Sequence, residues 1–428
     1  MVGQFIAEAI LFVGGLVLSA PLTELLFPKD QSTTRDSTKF SIVRFGYGEI
    51  NATVGGVMKD TLAPDVMLFD ANGNALIDPK KPAPNPEAQT IQPNEFQDVF
   101  FETRALPEYI RITARRDAPG PLCLAWVSVT AATGDKRHWN GGFGAQCKKP
   151  WYPSTSIMPE TDVRPPCVWL AAGTGTPARY SLSFHLPDFA PVNSDKALAR
   201  GRQWEKFPNT LCNAPARMQF WHDIEINSFG SCIPFYQNVL QFKEDGSDND
   251  MSYIVKGNRQ DDKSCIPLGS DNHAALYNMK GEISGQQPRP VFEAKPEEPW
   301  PDYATGDEPT IVRRDGKRFL RARSVEDEKC MHEIVEVADD ARGDVDIEHL
   351  CNSDSSWGPD MIKRDRKTGK HMYCDMCEHE LHHVCTTATQ MNCWDRNKKK
   401  LRVAAHRKRD DGSSYPPDKI FKRLHRWE

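Results

Sequence analysis

The chain has 428 residues, of which 39% are hydrophobic, and its formal net charge is −5 at pH 7. This length exceeds what one ordinary hydrophobic core supports, so two or three domains are expected. The modest charge does not indicate nucleic-acid binding, and the 32 prolines and 28 glycines, spread without a period, favour short strands and turns over long helices.

An apolar run lies close to the N-terminus and is followed by the small residues Ser19 and Ala20. Ile10–Leu18 has the length of the hydrophobic part of a secretion signal and is too short to cross a bilayer. No Lys or Arg precedes it, and a buried or amphipathic helix is the alternative interpretation. We interpret residues 1–20 as a weak signal peptide, which predicts secretion, and we expect no transmembrane span further along the chain.

Residues 40–191 are predicted to form an antiparallel β-sandwich, because short strands separated by turns recur throughout this region. Val66–Phe69 and Ala75–Ile77 flank an Asn-Gly pair that suits a tight hairpin turn. Leu122–Thr130 is apolar almost throughout and is predicted to be a central strand. Asn51 begins the sequon Asn-Ala-Thr and is a predicted glycosylation site if the chain is secreted.

Two further segments of this region alternate apolar and polar residues, as half-buried strands do. They are Tyr109–Ala114 and Tyr180–Leu186. In the second, His185 shares its side of the strand with serines. We therefore expect His185 to face solvent rather than to bind a ligand.

The rest of the chain divides by composition. Residues 192–279 have a weaker pattern and are predicted to be a loop-rich extension tied by cystines. Residues 280–325 are rich in proline and charge and are predicted to be a linker. Residues 326–400 contain six cysteines, which is typical of a small unit stabilised by disulfides. Residues 401–428 are a basic tail, and from Arg396 onwards twelve Lys and Arg stand against four acidic residues.

The cysteine total is even, and with a secretion signal it favours disulfides over free thiols. Six cysteines allow fifteen pairings, so the connectivity in the Cys-rich unit stays open. The twelve disulfide candidates are Cys123, Cys147, Cys167, Cys212, Cys232, Cys265, Cys330, Cys351, Cys374, Cys377, Cys385 and Cys393.

One stretch carries the zinc-protease pattern His-Glu-x-x-His, at His379, Glu380 and His383. On a helix the two histidines would share a face and bind one zinc ion, while the glutamate activated its water. The continuation that would supply a third ligand is missing, and cysteines crowd both sides. A zinc-dependent hydrolase is therefore an alternative and not the preferred hypothesis.

The same stretch admits a structural zinc site. Cys374 and Cys377 have the spacing of half a tetrahedral site, which His382 or His383 could complete together with Cys385. Because secretion favours oxidised cysteines, we prefer disulfides here and predict no metal and no cofactor.

Several stretches share a recognisable pattern of cysteines, tryptophans and glycines. In the first half they are Leu122–Thr130, Trp139–Gly144, Cys147–Tyr152, Cys167–Trp169 and Phe184–Phe189. Towards the C-terminus they are Cys351–Asp360, Tyr373–Met376 and Cys393–Asp395. Together they resemble the core and the C-terminal cysteine module of a group of secreted proteins from filamentous ascomycete fungi. The resemblance implies secretion and disulfides, and the group has no assigned activity.

We therefore expect a mainly β fungal protein, with an antiparallel β-sandwich, a loop-rich disulfide-stabilised region and a small Cys-rich module. Its expected role is non-enzymatic and extracellular or cell-wall-associated, with a surface of the sandwich binding a glycan, a lipid surface or a protein. A second alternative is binding of a polyanion or the cell wall through the basic tail.

Overall fold

A computed structural model describes residues 40–48, 61–71, 73, 75–76, 90–91, 96–103, 106–115, 118, 120–157, 164–171, 181–189, 194–221, 233, 235–236, 240–249, 254, 310–314, 317–321, 333–338, 345–365, 368–387, 390–402 and 423–427. The predicted signal peptide and Asn51 lie outside the described residues. Among the described residues, no helix is long and apolar enough to cross a membrane.

The described part of the chain is mainly β, as predicted. Its α-helices are α1 (Gly141–Gln146), α2 (Ser194–Lys206), α3 (Asn209–Cys212) and α4 (Ile347–Asn352). Its strands, in chain order, are β1 (Phe40–Tyr47), β2 (Thr61–Leu62), β3 (Asp65–Phe69), β4 (Thr90–Ile91), β5 (Phe96–Glu102), β6 (Tyr109–Thr113), β7 (Leu122–Thr130), β8 (Lys136–Asn140), β9 (Trp151–Tyr152), β10 (Cys167–Leu170), β11 (Ser181–His185), β12 (Met218–Trp221), β13 (Thr310–Arg314), β14 (Lys317–Arg321), β15 (Glu333–Val337), β16 (Asp360–Arg364), β17 (His371–Asp375), β18 (Glu380–Val384), β19 (Cys393–Asp395), β20 (Lys400–Arg402) and β21 (Arg423–Trp427).

Two antiparallel sheets form a β-sandwich, which confirms the predicted fold class. The larger sheet has the order β5-β1-β7-β10-β9, with β8 also paired to β7, and the smaller has the order β12-β11-β6-β3. One cluster of buried side chains from both sheets fills the space between them, including Phe45, Val127, Ile110 and Phe184. The sandwich takes in β12 and so reaches beyond residue 191.

The hairpin predicted around the Asn-Gly pair forms. The backbone N–H of Gly73 donates to the carbonyl of Asp70 at 3.0 Å, and Phe69 pairs with Ala75 beyond the turn. Gly73 has a φ of +73°, a conformation that side chains with a Cβ rarely adopt.

The strand β6 is buried along its whole length, so its expected half-exposure is wrong. One side faces the sandwich core. On the other side Tyr109 lies in a second buried cluster, whose members include Met67, Ile233 and Phe235. The alternating pattern arises because this second side also holds Arg111 and Thr113, both almost fully enclosed.

The C-terminal part forms a seven-stranded mixed sheet in the order β20-β19-β18-β17-β16-β15-β21. The pairs β15–β16, β15–β21 and β18–β19 are parallel, and the others are antiparallel. One face packs in a buried cluster with α4 and with residues of the sandwich, among them Trp126 and Trp169. The two units therefore share a core. In the predicted linker, β13 and β14 pair as a hairpin.

Candidate functional site

Every cysteine among the described residues is part of a disulfide. The pairs are Cys123–Cys167, Cys147–Cys212, Cys351–Cys374 and Cys385–Cys393. Cys377 is also disulfide-bonded. Cys232, Cys265 and Cys330 lie outside the described residues. The structure thus confirms the disulfide prediction for nine of the predicted cysteines.

Each unit of the fold has its own disulfides. In the sandwich, one pair joins β7 to β10, and another joins the end of α1 to α3. In the C-terminal unit, one pair joins α4 to β17, and another joins the chain after β18 to β19. Each unit is therefore cross-linked by disulfides of its own.

The zinc-protease pattern does not lie on a helix, so its histidines lack the shared helical face that the zinc-hydrolase alternative requires. His379 is in a turn with a φ of +53°, and Glu380 begins the strand β18. Glu380 lies 3.4 Å from the Nε2 of His382. His383 instead lies with its Nδ1 3.1 Å from the Sδ of Met372. Cys374 and Cys385, on either side of this segment, are both in disulfides, and the segment pairs with β17 as a strand. A helix here would break that pairing.

His379 is held against α4. Its Nδ1 donates a hydrogen bond to the backbone carbonyl of Cys351 at 3.2 Å. Burial lowers the pKa of His379, and this effect outweighs the opposing effects of the Cys351 carbonyl and of nearby carboxylates. His379 therefore supports the contact between the turn and the helix as a neutral side chain.

The structural zinc alternative is also wrong, because Cys374, Cys377 and Cys385 are all in disulfides and cannot act as thiolate ligands. The Sγ of Cys377 lies within 4.8 Å of the carboxylates of Asp360 and Asp375. Asp360 accepts hydrogen bonds from the Tyr373 hydroxyl at 2.5 Å and from a backbone N–H at 2.9 Å. Asp375 accepts from the backbone N–H of Cys377 at 3.0 Å. These carboxylates shape the turn before β18.

A buried ionic network that the sequence did not reveal is centred on Arg217, just before β12. Its guanidinium donates to both carboxylate oxygens of Asp248, at 2.9 and 2.8 Å, and to Asp188 at 3.1 Å. A further hydrogen bond, of 2.6 Å, reaches the carbonyl of Thr210. All three charged side chains are fully buried. Burial would lower the pKa of Arg217, but the adjacent carboxylates raise it above its ordinary value.

His185 belongs to this network, and the expectation that it faces solvent is wrong. Its Nδ1 lies 3.0 Å from Asp188, and its Nε2 lies 3.5 Å from Glu108. The rings of Tyr109 and Tyr236 pack against it. Burial alone would lower the pKa of His185, but the two carboxylates outweigh burial and raise it.

The same contacts set the charge of Asp188. Burial would raise the pKa of this carboxyl, but Arg217, followed by His185, holds it well below its usual range. Arg200 adds a hydrogen bond of 2.7 Å to the backbone carbonyl of Asp188. Asp188 therefore stays ionised, and its charge favours the protonated form of His185.

The arrangement joins separate parts of the fold, and it does not leave His185 free to act as a general base. A general base needs a free nitrogen lone pair, whereas both ring nitrogens of His185 face carboxylates. The network joins the end of β11, the start of β12, α2 and the segment around Asp248. The three-residue spacing of His185 and Asp188 was the only local signal of it in the sequence.

A second polar row crosses the outer face of the larger sheet. Asp98, Arg44, Ser128 and His138 lie opposite one another on β5, β1, β7 and β8. Arg44 donates to Asp98 at 2.6 and 2.8 Å. The Nδ1 of His138 lies 3.2 Å from the hydroxyl of Ser128, whereas its buried Nε2 has no hydrogen-bond partner. Burial lowers the pKa of His138 to about 3, so it is neutral.

No protein-family model matches the sequence, and a search of curated proteins finds no match either.

Proposed function

We propose that this is a secreted, non-enzymatic protein of the extracellular space or cell wall, like the ascomycete group that its sequence resembles. The observation that carries the proposal is the oxidised state of all nine described cysteines in both units. Cytosolic thiols are kept reduced by glutathione and thioredoxin, whereas secreted proteins keep structural disulfides. The apolar run at Ile10–Leu18 supports the same destination.

The histidines that would be the natural acid–base groups support a non-enzymatic role. His185 lies between two carboxylates, His379 donates to a backbone carbonyl, and His383 contacts a methionine sulfur. A binding role suits this rigid, disulfide-tied frame better than catalysis does. The ligand classes are a glycan, a lipid surface or another protein, bound on the sandwich.

Secretion is tested by expressing the chain with its own N-terminus in a eukaryotic host and comparing it with a variant that lacks residues 1–20. We expect the full chain in the medium with its cystines intact by mass mapping. Asn51→Gln should then remove one glycan and increase gel mobility. Retention of the full chain in the cytosol with alkylatable thiols at Cys123 and Cys167 would overturn the proposal.

A second candidate function is polyanion binding, and the turn between β19 and β20 favours it. Arg396, Lys398 and Lys399 are exposed there. Asp395 points its charge inward, since it accepts hydrogen bonds of 3.0 Å from the backbone N–H groups two and three residues ahead and pairs with Arg402. The exposed charge of the turn is therefore positive, apart from a contact of 2.9 Å between Arg396 and Glu336.

Retention on dextran sulfate tests this candidate. The double variant Lys398→Glu with Lys399→Glu should elute at clearly lower salt than the parent chain, because exposed charges act through a screened field. The matched double variant Lys148→Glu with Lys370→Glu, at two other exposed turns, changes the net charge equally and should elute close to the parent. Equal elution of all three proteins would exclude the turn as the binding element.

A further inference from the structure

The edge of the larger sandwich sheet is covered by a segment from the C-terminal unit. The strand β9 is the last strand of that sheet, and Trp151 in it forms a parallel bridge with Ser356. The backbone N–H of Trp151 donates to the carbonyl of Ser355 at 3.1 Å, and the N–H of Trp357 donates to the carbonyl of Trp151 at 2.9 Å. Residues 355–357 thus pair with the edge of the sheet through one parallel bridge, a short form of the edge pairing by which proteins bind an extended segment.

Side chains reinforce this backbone pairing. The indole N–H of Trp151 donates to the Ser353 hydroxyl at 3.2 Å, and that of Trp169 donates to the carbonyl of Trp357 at 2.6 Å. The rings of Trp169 and Trp357 meet edge to face with their centroids 5.1 Å apart. Such buried aromatic anchors with satisfied N–H groups are the residues that dominate binding energy at interfaces.

The fit is close at Gly358. A Cβ placed on this residue would lie 2.3 Å from the ring of Tyr152, which is closer than real Cβ atoms approach. The hydroxyl of Tyr152 in turn donates to the carbonyl of Pro359 at 3.0 Å. Gly358 therefore lets the segment lie flat on the tyrosine ring, and any larger residue would push it away.

The contact continues into the shared core. Trp126 and Trp169 of the sandwich belong to one buried cluster with Val335, Leu350 and Met361 of the C-terminal unit. Trp169 is fully buried and Trp151 is 4% exposed. Without the C-terminal unit, these aromatic side chains would face water. The cluster therefore has the composition of a stable interface core rather than of a transient contact.

We propose that Trp151, Tyr152 and Trp169 of the sandwich form a binding surface for residues 353–359, and that the two units stay associated when the chain between them is cut. The partner is thus the protein's own C-terminal unit, recognised through a parallel bridge at the sheet edge and a tryptophan anchor. The covalent connection contributes effective concentration and is not required for the contact. The inference does not depend on secretion or on the proposed function.

The test is made on the full chain with a protease site inserted after Gln287. After cleavage we expect one peak in size exclusion under native conditions and two bands on a reducing denaturing gel. The cut protein is also made with Cys330→Ser and Cys377→Ser together, since these are the two cysteines after the cut that the described disulfides do not pair within the C-terminal fragment. Co-elution in both versions supports the proposal, and separation into two peaks overturns it.

Substitutions in the segment that pairs with β9 test whether this contact holds the two fragments together. In the cut protein, Gly358→Ala should weaken the association by at least about tenfold, or about 1.4 kcal/mol, because its Cβ would meet the Tyr152 ring. Trp357→Ala should do the same because it removes an aromatic anchor of the interface. The exposed change Met391→Ala, in the same unit, should leave the association unchanged. If the fragments of Gly358→Ala and of Trp357→Ala bind as tightly as the parent fragments, the proposed surface is refuted. Circular dichroism of the uncut variants shows that they fold.

Discussion

Two buried histidines in the sandwich should give opposite contributions to the pH dependence of stability. We develop the case of His138, whose Nε2 is buried without a partner and whose pKa burial lowers from 6.5 to about 3. Below pH 6.5 His138 therefore binds a proton in the unfolded chain, whereas in the folded chain it stays neutral until the pH approaches 3. The stability that this histidine contributes is present above pH 6.5 and is lost progressively as the pH falls towards 3.

The size of the effect follows from the pKa difference. Each pH unit below the unfolded pKa costs about 1.4 kcal/mol, so at pH 4.5 the neutral His138 should reduce the free energy of unfolding by about 3 kcal/mol. In His138→Gln the amide keeps a polar contact for Ser128 but does not titrate. Between pH 7.5 and 4.5 the variant should therefore lose about 3 kcal/mol less than the parent protein.

Urea unfolding at half-unit pH steps measures this difference directly. When the slope of unfolding free energy against pH is compared between the parent and His138→Gln, the contributions of the other titrating groups cancel, because both proteins share them. His185→Gln is the opposite control, because the raised pKa of His185 contributes stability that is present below pH 6.5 and lost as the pH rises through the folded value. The same pH dependence in the parent and in His138→Gln would refute the reasoning and show that His138 gains a proton within the fold.

Three further predictions concern stability. Arg217→Met should cost about 3–5 kcal/mol because it removes the bidentate partner of the buried Asp248 and leaves the buried Asp188 with His185 alone. The exposed Arg202→Met should change the free energy of unfolding little, and chemical denaturation of both variants decides. Replacing both Cys147 and Cys212 by alanine removes a disulfide that spans a sequence separation of 65. The lost restriction of the unfolded chain should lower the free energy of unfolding by about 4 kcal/mol, again measured by chemical denaturation. An unchanged denaturation midpoint would contradict this prediction. Treatment with EDTA should leave the melting temperature unchanged, since the described cysteines of the C-terminal unit are all in disulfides, and a large decrease would restore the zinc hypothesis.

The sequence correctly predicted a turn and a strand whose formation depends mainly on neighbouring residues. The Asn-Gly turn requires a positive φ at Gly73, and this requirement alone is enough to place the hairpin. The apolar run Leu122–Thr130 became β7, which is paired on both sides within its sheet. In these cases the side chains and their immediate neighbours determine the outcome.

Contacts between distant residues decided the features that the sequence did not show. His185 looked exposed because its strand alternates, but the second side of that sheet is covered by the segment around Tyr236 and by the carboxylate of Glu108. The pattern at His379 suggested a helix, whereas pairing with β17 made its continuation a strand. Neither Arg217 nor its partner Asp248, 31 residues away, carries a local mark of their pairing.

The pairing of Ser356 with the edge strand β9 also bears on how the chain is synthesised. Ribosomes release the N-terminal residues first, so the sandwich can emerge well before Ser356 is made. Until then β9 presents an unpaired edge beside Trp151 and Trp169, the kind of surface through which nascent chains aggregate. The C-terminal unit thus covers this edge of the sandwich only late in synthesis, and a truncated product that ends before residue 333 should require a chaperone to stay in solution.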